Sequence, residues 1–104
     1  MIEPRIRAVV FREGNWWIIQ GLDYDFVTLA RRLEDVPSSI QQFFSVLFAA
    51  SRQLGVEPFY GYSPAPRRYW KMYERAEPTK EDLPAIELPE DFGAVPVVDT
   101  RLAA

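Results

Sequence analysis

Residues 5–11, RIRAVVF, alternate in part between aliphatic and charged side chains, the pattern of a β-strand. REGN follows, and Glu13-Gly14 predicts a tight hairpin loop, because glycine adopts positive φ at little cost. NWWIIQG is the second predicted strand. Trp17 and Ile19 share one of its faces, Trp16 and Ile18 the other, and neither face is polar. Such a strand is expected in the middle of a sheet, covered on both sides. DFVTLARR supplies a short third strand, with Phe26, Thr28 and Ala30 on one face and Val27 and Leu29 on the other.

The period then lengthens. Val36, Ile40, Phe43, Leu47, Ala50 and Leu54 recur at helical spacing and predict a helix from Glu34 to Leu54. Pro37 falls in its first turn, Glu34 and Asp35 suit the positive end of the helix dipole, and Gly55 suits its C-terminal cap. The opposite face carries Ser38, Gln41, Gln42, Ser45 and Ala49, with no charge between Val36 and Ser51. Solvated helix faces are usually richer in Lys and Glu. This face is therefore either exposed but uncharged, or covered by the C-terminal segment or a second subunit. Pro66 opens a short helix, Arg67 to Arg75, with Trp70 and Tyr73 on one side. From Glu77 the chain turns to proline and acid and is expected to be extended and irregular. PVVDTRLA has strand character again, and Val95 to Leu102 is expected to join the sheet with Val97 or Val98 buried.

These elements make a small α+β domain. An antiparallel three- to four-stranded sheet carries one long helix on one face, with a short helix and an extended C-terminal segment. Residues 1–76 form the core and residues 77–104 a Pro-rich acidic extension. One helix covers one side of a sheet. The other side, with Trp16 and Ile18 or Trp17 and Ile19, needs a second subunit or the aromatics Phe59, Tyr60, Tyr62, Trp70 and Tyr73 folded over it. A homodimer is the expected solution.

Composition narrows the chemistry. The chain has 104 residues, 48% of them hydrophobic, which suits one globular domain and not a disordered one. A net charge of −3 argues against nucleic acid as the partner. Cysteine and histidine are both absent. Disulfides, Cys/His zinc sites, and Ser-His-Asp or Cys-His catalysis are thereby excluded, and an acid or base would have to be Asp, Glu, Lys or Tyr. MIEPRIRAVV lacks the apolar core of a signal peptide, and no run nears the roughly 18 apolar residues of a membrane span. The expectation is a cytoplasmic protein of bacterial type, without membrane, cofactor or metal.

Three constellations remain. Asp23 and Asp25 would share a strand face and, with Glu13, Glu34 or Asp35, offer oxygen ligands to Mg²⁺, as in two-metal nucleases. The plainer reading is that both carboxylates shape a turn. Arg67, Arg68, Lys71 and Arg75 surround Tyr69, Trp70 and Tyr73, a mix that binds single-stranded nucleic acid by charge and stacking. The plainer reading is a short amphipathic helix with its aromatics packed inward. Trp16 and Trp17 offer stacking surfaces, although strand tryptophans usually belong to a core or an interface.

The hairpin with tryptophan in its second strand, GNWWIIQGLDYDF, then a short strand, then the helix of RLEDVPSSIQQFF, resembles the β-β-β-α unit of the HicB-like antitoxin superfamily. The resemblance covers residues 5 to 54, and PFYGYSPAPRRYWKMYERA resembles the segment that follows this core in small bacterial proteins sharing it. It implies a partial ribonuclease H-like fold and a non-enzymatic module that neutralises a small messenger-RNA-cleaving toxin. Family members bind DNA through an added C-terminal helical domain. Here a Pro-rich acidic segment stands in that place, so the implied relative is a stand-alone bacterial branch without a DNA-binding domain. The binding residues expected on this reading are Trp16, Trp17, Arg67, Arg68, Trp70 and Lys71, with no catalytic or metal residues. Two alternatives stay open: a metal-dependent nuclease, active or vestigial, using Asp23 and Asp25, and a nucleic-acid-binding module using the Arg67–Arg75 patch.

Overall fold

The computed structural model describes residues 5–76 and 97–103. Strand β1 (Arg5–Glu13) turns through Gly14 and Asn15 into β2 (Trp16–Gly21), and β3 (Val27–Ala30) follows. Gly14 takes φ +61°, the left-handed conformation such a turn requires. A 3-10 turn, Leu33–Asp35, leads into α1 (Val36–Leu54), and then come α2 (Arg67–Arg75) and β4 (Val97–Leu102). The sheet order is β3-β2-β1-β4. Among the described residues no helix is long and apolar enough to cross a membrane.

The domain is α+β with a long helix on one face of a four-stranded sheet, as expected, but the sheet is mixed. β1–β2 and β2–β3 are antiparallel, whereas β4 runs parallel to β1, with Ile6 opposite Val98 and Val10 opposite Leu102. Short links join antiparallel neighbours, while a strand returning after a long crossover is free to enter parallel. Two helices separate β3 from β4, and the crossover brings β4 in alongside β1. Val98 is 2% exposed, within the strand expected at the C-terminus. Val95, Pro96 and the irregular connection expected from Glu77 lie outside the described residues.

The inner face of the sheet presents Ile6, Ala8, Val10, Ile19, Ala30 and Val98 to α1, which answers with Val36, Ile40, Phe44 and Phe48. The buried helix stripe follows steps of four after Val36, and of the residues expected there Ala50 is exposed and Leu54 is 74% exposed. Phe43 and Leu47 pack at the margin of the core. Phe26 is stacked on Phe43 at 4.8 Å and meets Phe44 edge-on at 5.4 Å. Gly21 admits the Phe26 ring, since a Cβ there would meet both that ring and the Tyr24 carbonyl. Phe59, from the loop after α1, plugs the far end of this core and lies flat on Tyr24 at 4.2 Å. It does so with φ +64°, a strained conformation for a bulky residue that tight aromatic packing sustains. At the end of α1, Gly55 takes φ +68° and the Val56 N–H donates to the Ser51 carbonyl at 3.1 Å.

The choice between the two helix stripes has a measurable consequence. Phe44→Ala removes a fully buried ring and is expected to lower unfolding free energy by about 3–5 kcal/mol, whereas Leu54→Ala stays within about 0.5 kcal/mol. Urea denaturation of the two variants checks both values.

Candidate functional site

The outer face of the sheet is built from the residues that alternate with the core set. Register aligns Phe11 with Ile18 and Ile18 with Leu29, and in the next row Val9 with Gln20 and Gln20 with Val27. Helix α2 covers only the β1 side of this face. Val9, Leu22, Ala65 and Tyr73 form the buried cluster beneath it, with Phe11, Tyr69 and Trp70 at its margin. The β2–β3 half is left open: Trp16 is 38%, Leu29 47% and Val27 52% exposed, and Ile18 is half-buried between them. β2 is thus central but covered on one side only, contrary to the reading of its two apolar faces. The expected aromatic cover is divided. Trp70 and Tyr73 go to the β1 side, Phe59 enters the inner core, and Tyr60 and Tyr62 stay exposed. The edge of β3 is partly closed by α1, where Ser39 Oγ donates to the Leu29 carbonyl at 2.7 Å and lies 3.0 Å from Thr28 Oγ1. The open face, more than the edge, is what this side of the molecule offers.

Polar contacts hold α2 in position. The Arg7 backbone N–H donates to Asp23 Oδ2 at 2.7 Å, and Arg7 Nη2 donates to Asp23 Oδ1 at 2.7 Å. The same guanidinium lies over the Trp70 ring, 4.6 Å from its centroid. The loop before α2 is tied down by the Ala65 N–H donating to the Leu22 carbonyl at 2.9 Å and the Asp25 N–H donating to the Ser63 carbonyl at 2.7 Å. Further along α2, the Tyr73 hydroxyl donates to Asp99 Oδ2 at 3.2 Å, with Arg101 4.2 Å from its ring centroid. Burial first, and then the negative charge of Asp99, raise the Tyr73 phenol above its ordinary value near 10, while Arg101 opposes in part.

The six expected binding residues do not converge. Trp16 stands on the open outer face, while Trp17 lies on the inner face at the margin of the core. Trp70 sits beneath α2. Arg67, Arg68 and Lys71 are exposed on its outer side, together with Arg75. Asp23 and Asp25 are engaged separately: Asp23 holds Arg7, and Asp25 Oδ1 accepts from Gln20 Nε2 at 2.7 Å. Among the described residues no group of three or more acidic side chains is placed to hold a metal ion. Val27, Leu29 and Arg31 belong to the open face and were not singled out from sequence. Val27 and Leu29 are legible in the sequence as one apolar face of the third strand, but that the face stays uncovered is not.

The raised Tyr73 phenol fixes a direction of pH dependence. The folded protein keeps a proton that the unfolded chain gives up near pH 10, so this contribution is complete below that value and is lost as pH rises through the higher folded value. Tyr73→Phe removes the titrating group. The loss of stability above pH 10 is expected to be shallower in the variant than in wild type, read from thermal melts across the alkaline range. No family model, no curated protein and no solved structure matches the chain.

Proposed function

We propose that this chain is a non-enzymatic protein-binding module, of the kind that HicB-type antitoxins represent, which holds a small toxin-like partner against the open half of its outer sheet face. One observation carries the reading: Trp16, Val27 and Leu29 stand 38%, 52% and 47% exposed around half-buried Ile18 on a sheet whose other half is covered. Contiguous apolar surface of this kind is uncommon on monomers without a binding role, and tryptophan is a frequent interface anchor. The β-β-β-α element order supports the resemblance on which the partner class rests. The reading implies a bacterial cytoplasmic setting and requires no cofactor.

Self-association is a second part of the proposal, favoured by the outer side of α1. Ser38, Gln41, Gln42, Ser45, Val46, Ala49, Ala50, Gln53 and Leu54 are all exposed there, and Arg52 is the single charge among them. A face so poor in charge loses little solvation when a second copy covers it. The nuclease alternative has less support, because Asp23 and Asp25 each serve a separate structural contact. The nucleic-acid alternative keeps its cations on α2 but loses its stacking rings, which pack against the sheet.

Leu29→Asp changes an exposed position and is expected to leave the fold intact while abolishing retention of a specific small protein by the tagged chain. Identical retention by wild type and variant would remove the open face from the reading. For catalysis the expected outcome is no cleavage of RNA or DNA with Mg²⁺ or Mn²⁺. Robust cleavage that disappears in Asp23→Asn, Asp25→Asn would establish the nuclease instead.

A further inference from the structure

Four guanidinium carbons lie over aromatic rings around the outer face: Arg7 over Trp70, Arg101 over Tyr73, Arg31 over Trp16 and Arg68 over Tyr69, at 4.6, 4.2, 4.7 and 4.7 Å from the ring centroids. A guanidinium stacked by its face keeps its N–H edge free, and that edge fits a carboxylate with two parallel hydrogen bonds. Arg7 uses its edge on Asp23, at 2.7 Å. Arg101 Nη1 donates to the Tyr73 carbonyl at 3.4 Å. Arg31 and Arg68 make no ion pair with any described residue, and Arg68 donates to the Tyr69 hydroxyl at 2.8 Å.

These two cations stand on either side of the open apolar strip. Arg31 reaches it through Trp16. Arg68 reaches it through Tyr69, which stacks on Phe11 at 6.1 Å, and Phe11 is the register partner of Ile18. Positive charge continues along α2 at Arg67, Lys71 and Arg75, four residues apart on one side of the helix, an arrangement in which like charges repel. Glu13, opposite Trp16, and Glu74 lie near these cations, and neither has an ion pair with a described residue; at the other end of the strip, beside Val27, exposed Asp25 is engaged by Gln20 Nε2 at 2.7 Å.

We infer that the open strip takes an acidic peptide segment bearing apolar side chains: the apolar groups seat on Ile18, Val27 and Leu29, and the carboxylates pair with the guanidinium edge of Arg31 and with the N–H groups of Arg68 that its bond to the Tyr69 hydroxyl leaves over. This rests on the protein-binding reading above and names the chemistry of its partner. The contact of Arg7 with Trp70 and Asp23 is the same arrangement already completed within the chain. Single-stranded nucleic acid needs exposed ring faces, and Trp70 and Tyr73 pack beneath α2 while Tyr69 lies between Arg68 and Phe11. A second copy on the strip would bring its own α2 cations into the same contact, where like charges cost free energy.

Anisotropy titrations of the full chain with short labelled peptides of alternating Glu-Leu, Ser-Leu or Lys-Leu, and with oligouridylate, test this. The Glu-Leu peptide is expected to bind about tenfold tighter than Ser-Leu. That advantage is expected to shrink as salt rises and to vanish in Arg31→Ser, Arg68→Ser, a double variant at two exposed positions. Equal binding of Glu-Leu and Ser-Leu overturns the acidic partner and leaves the protein-binding reading standing. Preference for Lys-Leu or for the oligonucleotide, or a dimer in sedimentation that Leu29→Ser dissolves, overturns it in favour of that occupant. Failure of every peptide to bind removes both the inference and the reading on which it rests.

Discussion

The rest of the structure depends on β1 being apolar on both faces. Ile6, Ala8 and Val10 point one way and Val9 and Phe11 the other, and β1 lies between β2 and β4. Burying one set leaves the other in water, so a layer is needed on each side. Helix α1 supplies the first with a row of phenylalanines. Nine-residue α2 supplies the second, and it is long enough for β1 and its margins but not for β2 and β3. The open strip is what remains when a short helix covers one side of a four-stranded sheet.

Arginine–aromatic contact is the means by which the outer layer is held. A stacked guanidinium covers apolar ring surface while keeping its charge near water, so it serves at the boundary of a thin layer where a buried ion pair would cost desolvation. Arg7 couples three elements at once, through its own strand, the Asp23 turn and Trp70 of α2. The acidic pair that invites a metal-site reading thus belongs to the framework: Asp23 ties α2 to the sheet through Arg7, and Asp25 satisfies the amide of Gln20, which is 2% exposed. The proposed surface lies beyond this framework, at the two stacked arginines without a carboxylate.

Local pattern determined a good deal. The hairpin turn at Gly14, the two faces of β3, both helices, the cap at Gly55 and the inward side of α2 are set by neighbours within a few residues, through φ preference and side-chain periodicity, and they are legible in the chain. Tertiary structure decided the rest. Phe43 and Phe44, like Leu47 and Phe48, are adjacent apolar residues on α1, and it is packing against the sheet and Phe59 that buries Phe44 and Phe48 and leaves Phe43 and Leu47 at the margin. The parallel entry of β4 depends on where a long crossover returns, which strand propensity does not encode. The open half-face was hidden for the same reason. Trp16, Ile18, Val27 and Leu29 have the composition of a covered strand face, and whether a cover arrives is decided by the length and docking position of α2, elsewhere in the sequence.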